Sequence, residues 1–372
     1  MENGLQASMN NRVLILANNE ETIFHFRLEL IEALNKGQYE VTVSAPVGKY
    51  KEAIESRGAE ELDITMEQHG TNPIKDLCLI ARYLRLITKI KPGVVLTYTI
   101  KPNIYGGFAC SLLKVPCIGT VTGLGKAFEK EGILKRITFV LYRLGIKNDR
   151  VVFFQNPAQR DYFYGKKSRN KMRLVPGSGV NLSVHKYEPY PHNEETRFIF
   201  IGDVVKDKGL FELMDSFERL RSLCPISLQV VGAQFEEYPI EQWEHIPDVS
   251  FLGRRSDIHE LISQADTLVL PSYHEGLANV ILEASGCGRP VIATDIPGCR
   301  EAIEDGVTGF LVAPKDADAL FAAMQSFVNM PTADREAMGV KACEKVKKEF
   351  DRNIVVDAYV NEINGIVKEA NS

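Results

Sequence analysis

Two glutamates eight positions apart, Glu275 and Glu283, carry the densest chemistry of this chain, in the run Pro271-Ser-Tyr-His-Glu275-Gly-Leu-Ala-Asn279-Val-Ile-Leu-Glu283. Just upstream, Leu268-Val-Leu270 reads as an interior parallel strand. Val280 to Ser285 reads as a helix packed through Val280, Ile281 and Ala284. The run therefore sits where the carboxyl end of a strand meets a helix N-terminus, whose free N–H groups and dipole favour a phosphate. Were the helix to start at Glu275, both acids would share one face. With Glu275 ahead of it, the arrangement adopted here, the two acids serve different parts of one extended ligand. Acids take hydroxyls and amides take a diphosphate, so the run points to a nucleotide sugar.

Beyond it, Gly286-Cys-Gly288 stops the helix and Pro290-Val-Ile-Ala-Thr294 supplies the next buried strand. Pro297-Gly-Cys-Arg300-Glu301 then opens a further turn and helix. This whole segment resembles the donor-site signature of retaining glycosyltransferases of family 4. The resemblance implies an α/β protein of GT-B fold, with two Rossmann-like domains whose parallel sheets face each other across a cleft. It also implies that Glu275 touches the transferred sugar, that Glu283 holds the ribose hydroxyls, and that the backbone of Gly276, Leu277, Ala278 and Asn279 binds the diphosphate.

A second loop, Ile201-Gly-Asp-Val-Val-Lys206-Asp-Lys208-Gly209, follows the first strand of the second half and opens a helix. A cation there neutralises a departing diphosphate. The family carries an arginine just after the glycine (Gly202 here) and a lysine before the next glycine. Lys208 matches the lysine, but Asp203 stands at the arginine position, a reversal of charge. Either Lys206 or Arg254 substitutes as the cation, or phosphate binding is weaker, or the chain works on a variant theme; an arginine grips phosphate as a fork and a lysine only as a point charge.

The chain has 372 residues, 45% hydrophobic and 25% charged, an ordinary soluble composition too long for one core. Two domains follow as the expectation. No apolar run is long enough to cross a membrane and no secretory signal is visible. The seven cysteines and seven histidines form no pattern at metal-ligand spacing in sequence, so reduced thiols and no metal are expected. No cofactor is expected either, the sugar nucleotide being a substrate. Residues 1–190 hold 27 Lys and Arg against 18 Asp and Glu, while the remainder is acidic. A basic first half suits an anionic surface. A cytoplasmic membrane leaflet or a lipid-linked diphosphate fits better than nucleic acid, because no aromatic-interleaved basic stripe occurs, and no nucleic-acid partner is expected.

Strands alternate with helices throughout, which predicts parallel sheets. In the first half strands are expected at 12–17, 40–45, 93–98, 116–120 and 150–154, with an amphipathic helix over 24–34. In the second they are expected at 197–202, 228–232, 249–253, 267–271 and 290–294. The expected organisation is a flexible segment 1–11, an acceptor-binding domain 12–188, a Pro-rich linker 189–196 and a nucleotide-sugar domain 197–350. A final helix, 351–372, would cross back to the first domain.

On the acceptor side the loop Asn18–Arg27 lacks the G-x-G-x-x-G turn, which argues against a nicotinamide site. Phe26-Arg27, Tyr98-Thr-Ile-Lys101-Pro-Asn103-Ile-Tyr-Gly106 and Thr120-Val-Thr122-Gly123-Leu-Gly125 resemble the subgroup that builds bacterial surface polysaccharides and lipid-linked oligosaccharides. Phe154-Gln-Asn156-Pro and Val175-Pro-Gly177-Ser-Gly179 match as well. Arg27 and Lys101 are candidates for an acceptor diphosphate; Asn103, Thr122, Gly123 and Gly125 complete the candidate acceptor set. No catalytic histidine is carried over, since the expected place reads Thr120-Val-Thr122; His25 and His274 are read as packing or wall residues. Residues 74–90 and 133–146 form basic amphipathic helices suited to a membrane surface or to a core.

The resemblance thus implies a metal-independent, retaining transfer of a hexosyl group, an N-acetylhexosamine, from a UDP-sugar to a polyprenyl-diphosphate-linked saccharide. The implied place is cytoplasmic, peripheral on the inner membrane surface. A nucleotide-sugar 2-epimerase and a non-catalytic sugar-nucleotide-binding subunit are the alternative classes.

Overall fold

The computed structural model describes residues 11–66, 72–123, 132–165, 171–234 and 239–371. The chain forms two compact units, residues 1–178 with 353–372, and residues 179–352. The first unit runs β1 (Arg12–Leu16), α1 (Glu20–Phe26), α2 (Leu28–Lys36), β2 (Glu40–Ala45), α3 (Lys51–Glu55), β3 (Ala59–Asp63), α4 (Pro73–Ile90) and β4 (Val94–Tyr98). It continues through α5 (Gly107–Leu113), β5 (Cys117–Val121), α6 (Ile133–Gly145), β6 (Val151–Phe154), α7 (Pro157–Tyr164) and β7 (Met172–Leu174). The second unit holds β8 (Thr196–Ile201), α8 (Leu210–Arg221), β9 (Ile226–Val231), β10 (Val249–Gly253), α9 (Ile258–Gln264) and β11 (Thr267–Leu270). Then come α10 (Asn279–Gly286), β12 (Val291–Thr294), β13 (Gly309–Val312), α11 (Ala317–Asn329) and α12 (Thr332–Glu349). The last helix is α13 (Arg352–Asn371).

Both sheets are parallel, in the orders β3-β2-β1-β4-β5-β6-β7 and β10-β9-β8-β11-β12-β13. Their central strands β1, β4, β5, β11 and β12 are almost continuously apolar because helices cover both faces. Each order reverses once, between β1 and β4 and between β8 and β11. At such a reversal the loops leaving the two carboxyl ends diverge and open a crevice for ligand.

Three strands escaped the sequence reading: β3, β7 and β13. All lie at a sheet edge; β3 reads Ala-Glu-Glu-Leu-Asp with alternating burial, β7 is exposed at two of its three positions, and β13 is only four residues long. The helix expected over 24–34 is two helices, broken at Arg27. Asn19 caps the first, its Oδ1 accepting from the Thr22 amide at 2.8 Å.

The boundary falls at Ser178/Gly179 rather than in 189–196. The Pro-rich stretch is bolted onto the second unit. Tyr190 is buried, its hydroxyl donating to the Asp266 carbonyl, and the buried Arg289 donates to the carbonyls of Glu188 (3.0 Å) and Pro189 (2.9 Å). At the boundary Val180 pairs with Asp351, and a Cβ on Gly179 (φ +65°) would lie 2.5 Å from Arg352 Cα. The chain therefore enters and leaves the second unit side by side. Past Arg352, α13 sends Val355, Tyr359, Ile363 and Ile366 into the core of the first unit.

Candidate functional site

In the second unit the loops after β8 and β11 flank the strand-order reversal, and two close approaches lock them together. Gly209 has φ +70°, and a Cβ there would sit 2.1 Å from the Pro271 carbonyl oxygen, so only glycine lets the loops touch. The Tyr273 amide donates to the Asp207 carbonyl at 2.8 Å. A short 3-10 turn, Lys206–Lys208, aims the second lysine across this junction. Lys208 Nζ lies 2.6 Å from Glu275 Oε1, with the side chains 25% and 13% exposed. The pair is sheltered yet open to a ligand.

Behind Glu275 the Pro297-Gly298 turn closes in. Gly298 has φ +96°, and a Cβ there would come within 2.9 Å of Glu275 Cβ. The Gly298 carbonyl accepts from the Ala278 amide, while its own amide donates to Glu301 Oε2 at 2.7 Å. Leu277 and Ala278 are buried, and Ala278, the N-cap of α10, offers no side-chain cap. The helix thus begins without a side-chain cap, at the positive end of its dipole. Glu283 lies just over one turn into α10. Burial pushes its carboxyl up to about 7, against the pull of the nearby Arg352 guanidinium.

Gly202, Lys206 and Arg254 stand at the carboxyl ends of β8 and β10, Lys206 and Arg254 exposed, as is Asp203. His274, beside Glu275, is exposed. The fold thus brings Lys208 and Glu275 together ahead of α10, with Glu283 further along that helix near Arg352. That arrangement suits a diphosphate bearing hydroxylated rings.

In the first unit Arg27, Lys101 and Asn103 follow β1 and β4, the strands at its own reversal, yet each is already engaged. Arg27 is 2% exposed; its guanidinium lies 4.4 Å from the Tyr98 ring centroid and 5.8 Å from that of Tyr359. Lys101 Nζ pairs with Asp76 Oδ1 at 3.0 Å, and Tyr105 donates to the other Asp76 oxygen. Asn103 is fully buried: its amide donates to the Thr120 carbonyl (2.7 Å) and the Tyr142 hydroxyl (2.8 Å), and its oxygen accepts from Thr97. Asn103 fastens the turn Pro102–Gly106 and faces no ligand. Thr122 and Gly123 are partly buried, and Gly125 lies outside the described residues. One residue at this reversal had no sequence signal. Thr99, just past β4, has φ +68°, a left-handed conformation costing a β-branched residue roughly 1–3 kcal/mol. A basic cleft lined by Arg82, Arg85, Lys89 and Asp63 lies beyond β2 and β3.

Among the described residues one grouping has a metal-ligand arrangement, His185, His259 and Cys287. The sequence carries no metal-ligand spacing for them: the three are far apart along the chain and only the fold assembles them.

Two family descriptions match the chain: "Glycosyl transferase 4-like" over residues 12–156 and "Glycosyl transferases group 1" over residues 195–330. A relative from Campylobacter jejuni, N,N'-diacetylbacillosaminyl-diphospho-undecaprenol alpha-1,3-N-acetylgalactosaminyltransferase, is 25% identical, covering 96% of this chain and 99% of its own. An Escherichia coli UDP-Gal:alpha-D-GlcNAc-diphosphoundecaprenol alpha-1,3-galactosyltransferase is 24% identical over 68% of this chain and 70% of its own. Among solved structures, Anabaena Alr3699/HepE in complex with UDP and glucose superposes with a TM-score of 0.78 at 19% identity, covering 95% of this chain and 99% of that one. A glycosyltransferase from Rickettsia africae gives 0.80 at 17% identity, covering 96% and 98%.

Proposed function

Because the chain belongs to glycosyltransferase family 4 and has the GT-B fold, we propose that it transfers a hexosyl group from a UDP-sugar to a polyprenyl-diphosphate-linked saccharide with retention of configuration. The Campylobacter relative favours an N-acetylhexosamine as the transferred sugar. The observation that carries the reading is the Lys208–Glu275 pair at the mouth of a helix without a side-chain cap. As the glycosidic bond breaks, negative charge grows on the diphosphate and positive charge on the anomeric carbon. The positive end of the α10 dipole and the Lys208 ammonium receive the first, the Ala278 amide being already given to the Gly298 carbonyl, and Glu275 orients the sugar hydroxyls and faces the second. The leaving phosphate takes the acceptor proton, so no metal ion enters this step. The test is a screen of UDP-sugars against short-chain polyprenyl-diphosphate-linked acceptors, read by mass spectrometry. Transfer of one hexosyl unit is expected. UDP-sugar isomerised in the absence of acceptor, or UDP binding without transfer to any acceptor, overturns it.

Glu283 adds a pH signature. When its carboxylate accepts the ribose hydroxyls, binding favours the ionised form, whereas the free protein holds the group near pH 7. UDP affinity therefore rises with pH through about 7 and levels off above it, a gain of about tenfold between pH 6 and pH 8. Calorimetry should show this dependence in the parent protein and its flattening in Glu283→Gln. A parallel pH dependence in both removes Glu283 from the site.

The acceptor's lipid calls for a membrane surface, and α6 offers one. Ile133, Ile137, Val140 and Leu144 are 77%, 51%, 54% and 46% exposed and fall on one helical face. Lys135, Arg136, Arg143 and Lys147 flank them. Such a stripe seats in the interface of an anionic leaflet, each cation adding about 1 kcal/mol. Ile137→Glu with Val140→Glu should weaken sedimentation with anionic vesicles by roughly tenfold or more. Transfer to a short, soluble acceptor should be unchanged. Undiminished vesicle binding assigns the stripe another role.

A further inference from the structure

His185, His259 and Cys287 meet on the second unit, at the opposite end of α10 from the Lys208–Glu275 pair and one turn past Glu283. One imidazole nitrogen of each histidine and the Cys287 sulfur lie within 4.8 Å of one another. His259 Nδ1 is 3.3 Å from Cys287 Sγ, and His259 Nε2 is 3.4 Å from Glu188 Oε1. His185 Nδ1 is buried with no hydrogen-bond partner. A tetrahedral ion with bonds of about 2.0–2.3 Å sets its nitrogen and sulfur ligands some 3.3–3.8 Å apart. The His259–Cys287 separation already meets that, and the widest permitted spacing needs closure by only about 1 Å. A carboxylate on the far nitrogen of a ligating histidine is the usual outer support of such a site, fixing tautomer and ring orientation.

The framework is built without the ion. Arg289, buried in the turn after Cys287, donates to the carbonyls of Cys287 (3.0 Å), Glu188 (3.0 Å), Pro189 (2.9 Å) and Ser263 (2.6 Å). One guanidinium so ties the segment after His185, the helix carrying His259 and the turn of Cys287. Asn181 holds the approach, its carbonyl accepting from the His185 amide at 2.9 Å. The end of α10 packs tightly here as well, since a Cβ on Gly286 would lie 2.9 Å from the His185 carbonyl oxygen. Rigid support of this kind is what a metal site requires.

We propose that His185, His259 and Cys287 bind a borderline divalent transition ion of the zinc class, with Glu188 as the positioning carboxylate and the fourth position open to water. Two nitrogens and a sulfur select zinc or cobalt over magnesium or manganese, which prefer oxygen. The ion staples residues 181–189, where the chain enters the second unit, to α9 and α10. Its part is structural, and the sugar transfer proceeds elsewhere.

The test is a cobalt(II) titration of the chelator-stripped full chain, followed by zinc competition and thermal melting. The expected result is a thiolate-to-cobalt band in the near ultraviolet that zinc abolishes, with zinc raising the melting temperature by several degrees. The band should vanish in Cys287→Ser and persist in Cys78→Ser, which removes the exposed thiol. Glu188→Gln should lower cobalt affinity about tenfold or more. A parent protein with no band, or a band undiminished in Cys287→Ser, overturns the proposal. If Cys287→Ser fails to fold, Glu188→Gln decides, and unchanged affinity there is equally fatal.

Discussion

Lys208→Ala is expected to lower kcat/KM for sugar transfer by roughly 10²–10³, the cost of removing one preorganised charge from a departing anion. The loss should fall mainly on kcat, because the ammonium matters most when the diphosphate carries its developing charge. Arginine at this position should restore only part, since a planar fork does not reproduce a point charge set 2.6 Å from Glu275 Oε1. The alanine variant also strands the Glu275 carboxylate, 13% exposed, without its cation. With solvent partly screening the site, about 1–3 kcal/mol of stability goes too, visible as a lower melting temperature. Steady-state kinetics of a fully folded Lys208→Ala protein within threefold of the parent would contradict the assigned role.

Glu275→Gln should be nearly as costly, with kcat down about 10²-fold or more and donor KM moving little. Glutamine keeps the shape and one acceptor oxygen but loses the negative charge facing the anomeric carbon. It also releases Lys208 to hydrate. The Gly298 turn lies too close to Glu275 for the backbone to readjust, so the effect should come from charge rather than rearrangement. If kcat is preserved while KM climbs, Glu275 serves only to hold the donor, and the charge argument fails. The combined variant should lose less than the product of the two single losses, because the residues act as one unit.

The candidate donor residues were legible as a group because they are local. Glu275, the helix start and Glu283 lie within one strand–loop–helix, and the alternation of buried runs places that junction at a sheet's carboxyl edge. Lys208 was reachable because its loop follows the neighbouring central strand. The acceptor residues were not legible in the same way. Nothing near Lys101 announces that Asp76 will neutralise it, and nothing near Asn103 shows that Thr97, Thr120 and Tyr142 will consume its amide. Arg27 read as a candidate for the acceptor diphosphate, and nothing near it in sequence shows that Tyr98 and Tyr359 supply ring faces for it. The edge strand β3 lacked the apolar signature because its Ala-Glu-Glu-Leu-Asp alternates covered and uncovered positions. The Pro-rich segment read as a hinge by composition, whereas Arg289, a hundred residues later, decides where it packs.

The course of α13 bears on how the chain is made. The first unit's core includes Val355, Tyr359, Ile363 and Ile366, so its hydrophobic centre stays incomplete until the final stretch has left the ribosome. The second unit is one uninterrupted segment and can reach its native state while the opening half still waits. Maturation would then run against the usual N-to-C order, and chaperones should find their longest-lived client surface on the sequence translated first.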